Sequence, residues 1–131
     1  MAPALYNSHD PSPSAYDLFA RGRAMLEGGN PHAAALLLGR AKLLEPEKAS
    51  IREALGRAYF HSRRYAEAAR EFEAVIERYP VNDFAQFCLG RALTLAGQRH
   101  RARRHLAIAA NLRPERRDYA LYRERLAAQL S

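Results

Sequence analysis

The sequence predicts an all-α chain, with three helix–turn–helix units stacked into a solenoid and closed by a seventh helix. The first observation is a period of 34 residues. It aligns Gly22, Gly56 and Gly90 and holds through four further columns: Ala34, Ala68 and Ala102; Leu38, Phe72 and Leu106; Ala41, Val75 and Ala109; Pro46, Pro80 and Pro114. Five columns in phase over three units exclude coincidence. The second is helical spacing within each unit, as in Ile51, Leu55 and Tyr59 followed by Ala68, Phe72, Val75 and Ile76. The third is turn chemistry between stretches long enough for about 14 helical residues, roughly 21 Å each.

Each element can be justified in order. Residues 1–14, rich in proline and serine, read as a flexible arm. Ser14 with Asp17 three residues on forms a capping-box pattern, so the first helix is expected to start near Ala15. The run Gly28, Gly29, Asn30, Pro31 supplies a stop, a capping side chain and a proline for the next helix's first turn. Gly97 marks another stop. Residues 15–131 are expected to form one domain, with units at 15–48, 49–82 and 83–116. A closing helix is expected at 116–130, with Tyr119, Tyr122, Leu126 and Leu130 on one stripe and Arg123, Glu124 and Arg125 outside it. Neither helix of such a unit can bury its stripe alone, so the stack must be continuous. The glycine and alanine columns allow the paired axes to approach closely.

These residues resemble the tetratricopeptide repeat. The second unit is the best copy, with Leu55, Gly56, Tyr59, Ala68, Phe72, Val75 and Pro80; the third has Leu89, Gly90, Leu93, Ala102, Leu106, Ala109 and Pro114. The first has Leu18, Gly22, Met25, Ala34, Leu38, Ala41 and Pro46, with Arg21 where the others have leucine. The resemblance spans residues 15–116 and implies a right-handed superhelix whose concave groove, lined by the first helix of each unit, binds short peptides. It implies a non-enzymatic adaptor or scaffold with a protein or peptide partner and no cofactor.

Composition agrees with that class. Charged residues make up 27% and hydrophobic residues 48% of the 131, ordinary for a soluble globular domain. The start has no basic segment followed by an apolar one, and the longest apolar run, 33–38, is too short to span a bilayer. A single cysteine, Cys88, cannot form an internal disulfide and fits the reducing cytoplasm. No catalytic constellation stands out: the five histidines have no metal spacing, Cys88 has no placed base, and no glycine-rich phosphate loop is present.

Three surfaces are candidates for function. One residue past each repeat glycine stand Arg23, Arg57 and Arg91, a ladder along the expected groove wall. Tyr16, Phe19, Phe60, His61, Phe84 and Phe87 fall near them, with Glu53 four residues before Arg57. Guanidinium groups offer paired donors to carboxylates and aromatic rings offer rigid anchors, so an extended acidic and aromatic segment would suit this wall. The bland alternative is a solvated face, with Arg57 paired to Glu53 at i, i+4 for about 0.3–0.5 kcal/mol. Relatives that grip a C-terminal carboxylate use lysine and asparagine at positions held here by Phe19, Arg23, Ala54, Phe84 and Cys88, so that clamp is not expected.

The second surface is basic. Residues 83–131 carry 10 basic and 4 acidic side chains, against 11 and 10 in residues 1–82. Arg99, Arg101, Arg103 and Arg104, followed by Arg113, Arg116 and Arg117, form a candidate anion patch; nucleic acid or another polyanion is the alternative partner. Arg99 and Arg101 in a helix's first turn oppose its dipole by about 0.3–1 kcal/mol each. The third surface is Leu36 and Leu37. Their repeat equivalents, Arg70 with Glu71 and Arg104 with His105, are polar, so both leucines are expected to face outward, covered by Leu5 and Tyr6 of the arm or by a second copy in a homodimer.

Overall fold

The structure is a computed structural model in which residues 12–131 are described; the proposed cover from Leu5 and Tyr6 lies outside them. Among the described residues seven α-helices follow one another: α1 (Ala15–Glu27), α2 (Pro31–Leu44), α3 (Ala49–His61), α4 (Tyr65–Arg78), α5 (Asp83–Leu95), α6 (Arg99–Leu112) and α7 (Arg117–Leu130). Among the described residues there is no strand. Each helix packs on the next, and α1, α3, α5 and α7 also touch in sequence along one wall, so the chain is a solenoid of α1–α2, α3–α4 and α5–α6 pairs with α7 stacked on α6 and α5.

The caps follow the side chains. Ser14 Oγ accepts the Asp17 N–H at 3.0 Å and Asp17 accepts the Ser14 N–H at 3.2 Å. Asn30 caps α2 through the Ala33 N–H, with Pro31 at its first position, and Asn82 caps α5 through the Ala85 N–H. The turns between paired helices each contain one left-handed residue: Gly29 (φ 82°), Arg63 (φ 63°) and Gly97 (φ 85°), all at one repeat position. Glycine takes that conformation freely, whereas Arg63 holds it at a steric cost of about 1–2 kcal/mol.

Within each pair the helices meet at the glycine column. A Cβ added at Gly22 would lie 2.6 Å from Leu38 Cγ, one at Gly56 2.8 Å from the Phe72 ring, and one at Gly90 2.6 Å from Leu106 Cγ and Cδ2. Ala34, Ala68 and Ala102 are wholly buried beside them. The core closes at α7, where Tyr119 is enclosed against Phe87, ring centres 4.6 Å apart, and donates its hydroxyl to Asp83 at 2.7 Å. Burial first, and then the Asp83 carboxylate, push the Tyr119 phenol above its ordinary range.

One repeat column does not face outward as expected. Leu36 is 74% exposed, but Leu37 is half-buried against Ala15, Leu18, Ala41 and Ile51, and its equivalents Glu71 and His105 are only 5% exposed. This column points at the junction between units, so the stack sets its burial whatever residue type occupies it. Between the first and second units Glu71 accepts Lys42 Nζ at 2.7 Å and Arg52 Nη1 at 3.1 Å, while Arg52 Nε reaches the Pro46 carbonyl at 2.8 Å. Thirty-four residues on, Ile76, Gln86 and His105 occupy the same three places. There Gln86 Nε2 donates to the Pro80 carbonyl at 2.9 Å, which leaves its Oε1 to accept His105 Nδ1–H at 2.8 Å. Burial, then Arg104 and Arg101, depress the His105 pKa despite Glu73, so this junction is neutral where the previous one is charged.

Candidate functional site

The wall formed by α3 and α5 carries a hollow of about 160 Å³ lined by Arg57, Phe60, His61, Phe84, Phe87, Cys88 and Arg91, with Phe72 at its floor. Helical spacing explains the assembly. Arg57, Phe60 and His61 lie three and four residues apart on α3, as do Phe84, Phe87, Cys88 and Arg91 on α5, so each set shares one helix face. Six of the ten residues expected along the groove therefore meet in one place: Arg57, Phe60, His61, Phe84, Phe87 and Arg91.

The rings are held rigidly. Phe60 meets Tyr65 and His61 edge-on at 5.3 and 5.8 Å, and Phe87 sits mostly in the core against Tyr119 and Tyr122. Phe84 is more open. The Arg91 guanidinium carbon lies 5.1 Å from the Phe60 ring centre and 4.3 Å from that of Tyr122, a position worth roughly 0.5–2 kcal/mol according to its desolvation.

Arg57 is different. It lies beside Glu53 in sequence but makes no ion pair within 4 Å among the described residues, because Glu53 turns to Asn82, whose Nδ2 donates to it at 3.5 Å. The i, i+4 pair open to Arg57 is thus not formed. The remaining groove residues are elsewhere. Tyr16 and Phe19 edge a separate hollow with Ile51 and Lys48, and Arg23 pairs with Glu27 at 3.4 Å on the open surface of α1.

Cys88 lies half-buried in the hollow, and its thiol is pushed up to about 12 by desolvation first and by Glu53 second, with Arg57 and Arg91 opposing. A thiol there is almost wholly protonated at pH 8. Iodoacetamide is expected to alkylate Cys88 roughly 40 times more slowly than an unperturbed thiol, as read by mass spectrometry, because the smaller thiolate fraction is partly offset by the greater nucleophilicity of a high-pKa thiolate. Alkylation at the rate of an unfolded control would show that the thiol is not buried.

One residue of this wall was missed in the sequence: Arg125, which lies 34 residues beyond Arg91 and so extends the ladder onto α7. Its guanidinium carbon is 5.5 Å from the Tyr122 ring centre. The period could have found it, but Glu124 stands where the column has glycine and breaks the pattern that marked the other three.

The basic surface divides. Arg99 and Arg113 start and follow α6, which is 14 residues long, so these two stand about 21 Å apart along one axis, and even Arg104 and Arg113, the nearest members of the two groups, about 13 Å. Arg101 donates to Glu73 at 2.5 Å and to Gln98 at 2.6 Å, Arg99 to Gln129 at 3.2 Å, Arg113 to Glu115 at 2.5 Å and Arg116 to Asp118 at 2.7 Å. Arg103, Arg104 and Arg117 are exposed and make no ion pair within 4 Å among the described residues. A broad open cleft on this side gathers Arg70, Arg101 and Arg104 with Glu73 and Glu77. Its charge is mixed, unlike the α3–α5 wall. Leu36 is joined on the outer face of α2 by exposed Leu43, seven residues on. No described helix is long and apolar enough to cross a membrane.

The family model described as a tetratricopeptide repeat matches residues 54–80. No curated protein matches the chain in sequence. Among solved structures, the first TPR of Spaghetti (RPAP3) bound to the HSP90 peptide SRMEEVD is 15% identical with a TM-score of 0.84, over 89% of this chain and 93% of that one. MamA from Desulfovibrio magneticus RS-1 is 20% identical with a TM-score of 0.87, over 95% and 70%. YrrB, a TPR protein with an unusual peptide-binding site, is 22% identical with a TM-score of 0.79, over 88% and 59%. At these identities the likeness is one of fold.

Proposed function

We propose that this chain, a tetratricopeptide-repeat solenoid with its sequence match in the second unit, is a non-enzymatic interaction scaffold that holds an extended acidic and aromatic segment of a partner protein. The observation that carries this reading is the α3–α5 hollow, where Arg57 lacks a carboxylate partner at the rim of an aromatic floor. A guanidinium that is not already paired keeps its donors available, and a carboxylate reaching it would form charge-assisted bonds beside a surface that excludes water. Phe60 and Phe84 would take the ring or aliphatic side chain next to that carboxylate. The peptide-bound Spaghetti structure and the peptide site of YrrB support a peptide-holding role at the level of the fold.

The competing surface is the Arg101–Arg104 cleft, with a polyanion as occupant. The two are separated by capturing partners from the native cell on the immobilised protein. Arg57→Glu with Phe84→Ser is expected to reduce retention of the partner at least thirtyfold, about 2 kcal/mol, through charge reversal and loss of an anchor. Arg101→Glu with Arg104→Glu is expected to leave it within about twofold. The opposite pattern would transfer the function to the basic cleft, and binding that falls in step with rising salt there would identify a polyanion.

A further inference from the structure

A second hollow, of about 210 Å³, lies one step along the same wall between α5 and α7. Six of its eight lining residues are those of the first hollow displaced by one repeat. Arg57, Phe60 and His61 become Arg91, Thr94 and Leu95; Phe72, Cys88 and Arg91 become Leu106, Tyr122 and Arg125. Arg91 belongs to both. Its guanidinium lies against Phe60 on the first side and Tyr122 on the second, and Arg125 approaches Tyr122 in turn. Three guanidiniums thus run along one wall with two pockets between them.

Two repeat-related pockets impose a register on anything that fills both. Neighbouring first helices pack about 8–10 Å apart, and an extended chain advances about 3.3 Å per residue, so equivalent points are about three residues apart. The pockets differ in shape and chemistry. The first is walled by phenylalanines and suits an aromatic ring; the second has Thr94 and Leu95 in place of Phe60 and His61, with Leu126 beside them, and suits an aliphatic side chain. Among the described residues, neither Arg91 nor Arg125 has a carboxylate within 4 Å.

We infer that the groove reads a two-anchor acidic motif: an aromatic and an aliphatic residue three positions apart, with carboxylates between and beside them. Arg125 of α7 is a specificity-determining residue for the second anchor. This rests on the groove reading above and adds the register and the role of α7 to it.

The test uses fluorescein-labelled ten-residue peptides in a glycine–serine background, each with two aspartates. One set carries a phenylalanine and a leucine separated by two, three, four or five positions, in both orders; a second set carries the phenylalanine alone. Fluorescence polarisation against the full chain is expected to show tightest binding at a separation of three. Arg125→Ala, an exposed change on α7, is expected to weaken that peptide about tenfold and the single-anchor peptide less than twofold, whereas Arg57→Glu weakens both. If affinity is independent of separation, or Arg125→Ala is silent while Arg57→Glu is not, the two-anchor inference is overturned and the groove reading stands. If no peptide binds, or Arg57→Glu is also silent, both are overturned.

Discussion

Replacing Gly90 with alanine is expected to destabilise the domain by about 2 kcal/mol, while the same replacement at Gly39 stabilises it by about 0.5–1 kcal/mol. Both glycines lie inside helices, so propensity alone favours alanine at each by up to about 1 kcal/mol. Packing reverses the sign at Gly90. Its new methyl would stand 2.6 Å from Leu106 Cγ and Cδ2 and 3.2 Å from the Leu106 backbone nitrogen. Leu106 is almost fully buried and cannot swing away, and a backbone contact can be relieved only by moving α6 from α5. Crowding of this kind costs about 3 kcal/mol against the 1 gained. Around Gly39 nothing lies within 4 Å of the added carbon, so only the propensity gain remains. Thermal unfolding should show the Gly90 variant about 7 °C lower for a domain of this size. An unchanged midpoint would mean that α5 and α6 can separate freely, and that the glycine column is not a close-approach device.

The columns that were legible in the sequence are those whose residue size is dictated by two backbones meeting: Gly22, Gly56 and Gly90 against Leu38, Phe72 and Leu106. Local chemistry made the caps at Ser14 and Asn30 legible in the same way. What failed depended on partners far along the chain. Residue type suggested that Glu71 and His105 face water, but the junction between units buries them and supplies their partners from Lys42, Arg52 and Gln86. Spacing offered Glu53 to Arg57, but Asn82, 29 residues away, draws the carboxylate off. The arginines at 99–104 and at 113–117 form one basic run on paper but lie at opposite ends of α6 in space. Arg63 shows the converse: nothing about its type announces a left-handed residue, yet its place between Gly29 and Gly97 in the period does.

Glu71→Ala is expected to cost about 2 kcal/mol. Removing one member of a fully buried ion network costs about 3–5 kcal/mol, because the partners are left charged and dry. Here the side chains of Lys42 and Arg52 keep 28% and 26% of their exposure, so water recovers part of the loss, and the lower figure applies. The repeat supplies its own control. The next junction performs the same joining with Ile76, Gln86 and His105, where Gln86 keeps the bond to the Pro80 carbonyl that Arg52 makes to Pro46. Transplanting that set as Lys42→Ile, Arg52→Gln and Glu71→His replaces a charged cluster by a neutral one that already fits this geometry. The triple variant is therefore expected to unfold in urea within about 1 kcal/mol of the parent, well above Glu71→Ala alone, since an ion cluster exchanged for a packed neutral set is often close to neutral in stability. A triple variant as unstable as the single one would show that the first junction needs its charges, and that the two junctions, although in one register, are not interchangeable.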